Sequence, residues 1–219
     1  PLVKAPSRAL QAIIKFTPVP DRSTGYCQEN RFFQECFADL RQVVYLKIAV
    51  TKELGVLGLT FAECMREQRS LGGYAHVTAL GMNMHLYWVG VAADLWRSGD
   101  RSLEWMLRGA VNGEVFAAGH AERGNDLPVL LSSAKAERVA GGYRFTGHKS
   151  FGSLTPVWTY LGMHGMDTSD PAAPKVVHAF MPRATEGYSI KETWDVLGMR
   201  ATASQDTLLQ GAVVPDRYI

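Results

Sequence analysis

The sequence is poor in the residues that staple, anchor or clamp a chain. Its three cysteines, Cys27, Cys36 and Cys64, have no Cys-x-x-Cys spacing and are odd in number. A disulfide framework or zinc site is therefore not expected, and a reducing, cytoplasmic setting fits better. The six histidines form neither His-Glu-x-x-His nor His-x-His, so the spacing gives no reason to expect a metal. Lysine and arginine form no block and the formal net charge is only +2. That leaves no electrostatic footprint for nucleic acid or an anionic membrane. The opening Pro-Leu-Val-Lys has no secretory n- and h-region, so no signal peptide is expected. The longest apolar window, Val77 to Leu95, is interrupted by Asn83, His85 and Asp94, which suits a buried helix better than a membrane span. There is no repeat and no low-complexity tract.

What is present is ordinary for a globular protein: 219 residues, 47% hydrophobic and 20% charged, enough for one large domain or two small ones. The first half reads as helical. Ser7 could cap a short helix carrying Leu10, Ile13 and Ile14, stopped by Pro18 and Pro20, and residues 21–30 read as loop. Phe33, Cys36, Phe37, Leu40 and Val43 recur at three- and four-residue steps, predicting a helix over 31–47. Thr60 with Glu63 predicts a capping box opening a helix that runs to about Leu71, before Gly72-Gly73. Val77, Leu80, Met84, Trp88, Val91 and Leu95 predict a helix from about Ala75 to Ser98, stopped by Gly99. Ser102 is the expected cap of a last helix, which Gly113 ends.

After Gly113 the period changes. Turn residues punctuate seven strand-length runs: 115–118, 130–139, 143–146, 157–163, 176–181, 188–192 and 207–214. The expected fold is α+β with two domains. An all-α helical domain spans residues 1–113, and an antiparallel β-barrel or sandwich spans 114–219.

Two segments of the second half carry candidate chemistry. In the first, Gly119 and Gly124 free the backbone, while Asn125 and Asp126 supply turn-forming side chains. Such a turn exposes backbone N–H groups to a flat polar ligand. In the second, Phe151 stands two residues from Ser153, and on a strand i and i+2 point to one side. One could cover a ring face while the other reaches a ring heteroatom, as a flavin site requires. The same residues also suit a loop and strand with no ligand.

Four pieces resemble the acyl-CoA dehydrogenase family and its flavin monooxygenase relatives. Leu57-Gly58-Leu59-Thr60 is similar to the family's Gly-Gly-Leu-Gly loop, with Val56 in place of its second glycine. Phe116 to Asp126 resembles Tyr-Cys-x-Thr-Glu-Pro-x-x-Gly-Ser-Asp. Gly147 to Ser153 resembles Gly-x-Lys-x-Trp-Ile-Ser/Thr. Trp194 to Ser204, followed by Val-Pro-Asp at 214–216, resembles the Leu-Gly-Met-Arg-x-Thr-x-Ser run. The resemblance implies FAD as cofactor and a fatty acyl-CoA-like substrate that is dehydrogenated α,β, with hydride passing to flavin N5. It implies that Phe116, Ala118 and Gly119 lie along the flavin, and that Gly124 and Asn125 contact cofactor or acyl-CoA. Phe151, Gly152 and Ser153 would cover the isoalloxazine and bond its N5, where a donor suits incoming electron density. Asn83 and His85 lie on the helix expected to face the substrate, where His85 reads either as a polar pocket residue or as a capped or core histidine.

Departures qualify the expected activity. Gly119-His120-Ala121 replaces Thr-Glu-Pro, removing a hydroxyl donor to the flavin. Val44, Thr51 and Val56 replace backbone-constraining residues. No carboxylate matches the family's catalytic base, and Glu122 reads as a solvated loop charge. The family's C-terminal four-helix bundle has no counterpart in the sequence. A homo-oligomer or a companion subunit supplying that bundle is the expected assembly. The other readings are a flavin monooxygenase of the same fold and a non-catalytic relative acting as an interaction module.

Overall fold

The computed structural model describes residues 25–124 and 131–219. The helix expected at Leu10–Ile14, the residue pair Asn125 and Asp126 and the start of the run at 130 lie outside the described residues. The described residues divide into two units: those up to 115 with 195–202, and 116–124 and 131–194 with 203–219.

All regular structure described in the first unit is helical. Residues 25–28 form a helical turn where loop was expected, closed by Glu29 N donating to Gly25 O at 3.0 Å. Helix α1 (Gln34–Gln42) buries Cys36, Phe37 and Leu40, the face the spacing predicts. It stops earlier than the pattern suggests, because the chain extends at Val43 (ψ 171°) and resumes as a 3-10 turn over Val44–Lys47. Helix α2 (Phe61–Tyr74) opens on the predicted capping box: Thr60 N donates to Glu63 Oε2 at 2.9 Å and Glu63 N donates to Thr60 Oγ1 at 3.4 Å. It runs through Gly72-Gly73 to Tyr74, since Ala75 N still finds Leu71 O at 2.8 Å. Helix α3 (His76–Arg97) follows after the single non-helical residue Ala75 and ends where Gly99 takes φ +93°. Helix α4 (Glu104–Val111) has no side-chain cap. Ser102 is not its cap; its own N–H is held by Asp100 Oδ1 at 2.8 Å.

Inside this unit a buried polar chain crosses the helices. Tyr45 Oη donates to Gln68 Oε1 at 2.6 Å, and Gln68 Nε2 donates to Ala79 O and Asn83 Oδ1. The 3-10 turn Arg200–Thr202 packs on α3, so the helical unit is not the contiguous N-terminal domain the sequence suggested.

The second unit holds all seven predicted strands: β1 (Phe116–Gly119), β2 (Lys135–Val139), β3 (Gly142–Gly152), β4 (Tyr160–Asp167), β5 (Lys175–Pro182), β6 (Tyr188–Lys191) and β7 (Gln205–Pro215). They form one mixed sheet, not an antiparallel barrel or sandwich. β5 runs antiparallel along one edge of β4. The other edge takes two strands end to end, both parallel to β4: β1 at Tyr160–Met163 and β2 at Met166. β2 then turns at Ala140-Gly141 into β3, which pairs with β7, and β7 with β6. Alternation along a strand reveals which residues face inward, but not which strand lies alongside or in which direction. Gly147 has a local reason: a Cβ there would stand 2.5 Å from Ala134 Cβ, so glycine lets β3 pass the start of β2.

Replacing Thr60 with alanine removes the α2 capping box and should cost about 1 kcal/mol. Urea denaturation followed by far-UV circular dichroism checks this; an unchanged midpoint would mean the cap contributes nothing.

Candidate functional site

The site is built around the end of β3. Register with β7 slips between Lys149↔Thr207 and Gly152↔Gln205, so Ser150 and Phe151 oppose the single residue Asp206. This is a β-bulge, a device that re-aims side chains. Phe151 takes φ 57°, a left-handed conformation that costs a non-glycine residue about 1–3 kcal/mol. The residue is 48% exposed, and its ring meets Trp194 edge-on at 5.8 Å. Trp194 N donates to Gln205 Oε1 at 2.9 Å, which ties that segment to β7. Gly152 must be glycine, because a Cβ would lie 2.9 Å from Gln205 O.

Ser153 differs from Phe151 in exposure: it is buried, and its Oγ shares a hydrogen bond with Ser204 Oγ at 2.8 Å. The bulge interrupts the regular alternation from which a same-side placement of Phe151 and Ser153 was expected. Leu154 (φ 67°) and Ala203 (φ 45°) are also left-handed. Strained residues thus flank both hydroxyls.

The two segments singled out in the sequence do meet. Beyond Gly119 the chain continues beside β3, and Ser150 N donates to Ala121 O at 2.8 Å. Phe116 is fully buried, stacked on Tyr160 at 5.4 Å, so only its backbone could face a ligand. Gly119 and Ala118 close β1, and Gly124 uses its freedom at φ +105°.

Glu122 overturns the reading of a solvated loop charge. Its carboxylate receives Lys149 Nζ, Ser132 Oγ at 2.5 Å, Ser133 N at 2.5 Å and Ser133 Oγ at 2.7 Å. The Lys149 and Glu122 side chains are 1% and 4% exposed. Burial raises the Glu122 carboxyl, but the bonds from Lys149, Ser132 and Ser133 outweigh it and bring the pKa down to about 2. Burial lowers the Lys149 ammonium, and Glu122 opposes that shift. One signal in the sequence pointed here: Lys149 has the parity of buried Phe145 on β3.

Register also unites three histidines that sequence spacing left unconnected. His120 follows β1, while His164 on β4 is directly opposite His178 on β5. Their ligand-capable atoms lie within 4.8 Å of one another.

In the helical unit, Asn83 lines a cavity of 380 Å³ with Leu86, Tyr87, Cys64, Met65 and Arg97. His85 does not. It is fully buried, its Nε2 lies 2.7 Å from Leu46 O, and burial lowers its pKa to about 4 despite that bond. The expected substrate contact by His85 is corrected to a core histidine serving a backbone carbonyl.

No protein-family model matches the chain. It is 30% identical over 206 residues to a dibenzothiophene monooxygenase of Mycolicibacterium goodii, spanning 91% of this chain and 46% of that protein. It is 24% identical over 195 residues to the putative acyl-CoA dehydrogenase YdbM of Bacillus subtilis, spanning 88% of this chain and 50% of that one. The structure of KijD3 with FMN and a dTDP-linked amino-keto sugar superposes with a TM-score of 0.83 at 23% identity, over 99% of this chain and 55% of that one. The chain spans about half the length, or less, of the curated relatives it matches. The likeness establishes an acyl-CoA dehydrogenase-type fold, as the four motifs led us to expect.

Lys149→Met leaves a buried carboxylate without its cation and should destabilise the β unit by about 3–5 kcal/mol. Adding Glu122→Gln should recover most of that loss. Denaturant midpoints of the single and double variants check this; equal losses in both would deny the pairing.

Proposed function

We propose that this chain is the helical and β portion of a flavin-dependent monooxygenase that works with reduced FMN and dioxygen. The observation that carries the reading is the bulge at the end of β3, which presents an exposed aromatic, Phe151, beside a buried pair of hydroxyls. The 30% identity to a monooxygenase over 91% of the chain supports oxygenation in preference to the α,β-dehydrogenation of an acyl-CoA implied by the motifs. FMN in the KijD3 complex supports FMN in preference to FAD.

The residues suit a flavin ring. Phe151 offers a ring face, and Trp194 braces it from the edge. Ser153 Oγ can donate to a ring nitrogen while Ser204 Oγ supplies its other bond. The backbone of Gly119, with that of Phe116 and Ala118, lies on the segment that Ser150 holds beside β3. The Lys149–Glu122 pair adds no net charge to this neighbourhood. Bound reduced flavin would supply two electrons, so that one oxygen atom enters the substrate and the other leaves as water. Gly152 and Gly124 serve by backbone conformation, and Asn125 stays a candidate contact.

The substrate class that suits the helical unit is a small, largely apolar molecule. The 380 Å³ cavity is walled mainly by apolar residues, with Asn83 as a polar contact held by Gln68. Assembly as a homo-oligomer or with a companion subunit belongs to the same proposal.

Titrating the chain into FMN should quench flavin fluorescence with one-to-one saturation. Phe151→Ala should weaken binding about tenfold, the scale of one lost ring stack. Reduced FMN, dioxygen and dibenzothiophene should yield an oxygenated product, whereas an acyl-CoA with an artificial electron acceptor should not turn over. Dye reduction by the acyl-CoA would restore dehydrogenation, and absence of flavin binding would reject both reactions for this chain.

A further inference from the structure

The three-histidine cluster is independent of the flavin reading. Its residues come from neighbouring strands at one level of the sheet. His164 and His178 are cross-strand partners, and His120 is the next residue after the Gly119↔Met163 pair. The rings form a triangle, with centroids 5.2, 5.0 and 5.7 Å apart. His120 Nε2 and His178 Nε2 are 3.2 Å apart. Two imidazole nitrogens sharing one tetrahedral zinc, each at about 2.0–2.1 Å, lie about 3.3 Å from each other. The spacing already present is that of two ligands on one ion.

His164 supplies the second observation. It is 1% exposed, and its buried Nδ1 has no hydrogen-bond partner among the described residues. Its Nε2 lies 3.0 Å from Leu131 O, so that nitrogen carries the proton and Nδ1 keeps a lone pair. An imidazole oriented by a backbone carbonyl on one nitrogen, with the other left unprotonated, is how metal-binding histidines are held. A buried acceptor with nothing to accept is costly, and an ion would remove that cost. Exposed His178 leaves the cluster open to solvent on one side.

We propose that His120, His164 and His178 bind one divalent transition-metal ion of the Zn²⁺, Ni²⁺ or Cu²⁺ class, with water in the remaining position. An all-imidazole set selects this class over Mg²⁺ or Ca²⁺, which require oxygen ligands. The ion would clip β1, β4 and β5 together next to the turn that carries Glu122. The charges facing the cluster are Lys149 and its partner Glu122, which offset each other. Burial, then the neighbouring histidines and Lys149, depress His120 to about 3, and burial, then His164 and Lys149, depress His178 to about 4.

The test uses the chain without a polyhistidine tag, stripped of metal by chelator and then titrated with Zn²⁺ by calorimetry without flavin. One Zn²⁺ per chain is expected, together with a higher melting temperature in excess Zn²⁺. Either His178→Ala or His178→Gln, checked for an unchanged far-UV spectrum, should lose at least about tenfold in affinity, the scale seen when even an outer-shell partner is removed. His148→Ala should bind as the parent does, since His148 is engaged with Asp206 at 2.7 Å, away from the cluster. Failure to bind Zn²⁺ stoichiometrically, or binding unaffected by both His178 substitutions, overturns the site. Because no flavin is present, either result leaves the monooxygenase reading to its own test.

Discussion

The ion pair between Lys149 and Glu122 is the constraint on which the β unit depends. It lies in the seam between β1 and β2, two strands that share one edge of β4 without joining each other. The Glu122 carboxylate receives the backbone of Ser133 at the approach to β2 and the ammonium of β3's Lys149. Three segments distant in sequence are thereby held by one side chain. A buried carboxylate with several donors and one cation is stable where a lone one would not be. Everything proposed for the end of β3 starts from this anchor, because Ser150 and Phe151 follow Lys149 directly.

Beyond the anchor, the chain departs from regular geometry where a ligand would be met. β3 is regular over 146–149, bulges at Ser150-Phe151 and buries Ser153 against Ser204. The left-handed residues at 151, 154 and 203 are retained although each is costly. Such strain concentrates where surrounding structure over-determines the backbone, and here the register with β7 and the bond from Trp194 to Gln205 do so. The helical unit shows the contrasting case. Its polar groups, Tyr45, Gln68 and His85, are largely satisfied by one another or by backbone carbonyls, and its cavity is walled chiefly by carbon.

The sequence made local features legible and long-range ones obscure. The capping box at Thr60 and Glu63, the long α3 and all seven strands follow from periodicity and turn chemistry, which act over a few residues. Parallel pairing of β1 and β2 with β4 does not, because nothing in a strand's own alternation names its neighbour. Glu122 illustrates the limit: beside Gly124 and Arg123 it looks like any loop charge, and only Lys149, 27 residues away, makes it a buried anion. The histidines at 120, 164 and 178 are equally scattered in sequence and adjacent in register. Ser204 stood within a motif, yet its role as partner to Ser153 required the fold. His85 stayed open in the sequence because a polar residue on an apolar helix suits a pocket or the core, and its contact with the carbonyl of Leu46 places it in the core.

The central claim is that a flavin ring rests on Phe151. The most direct measurement is the ¹⁹F spectrum of the chain labelled with fluorophenylalanine, with the Phe151 resonance assigned by substitution, recorded as FMN is added. The account predicts that the Phe151 signal shifts progressively and saturates, while that of Phe33, buried in the helical unit, stays in place. A Phe151 signal that does not move while FMN binds would contradict it.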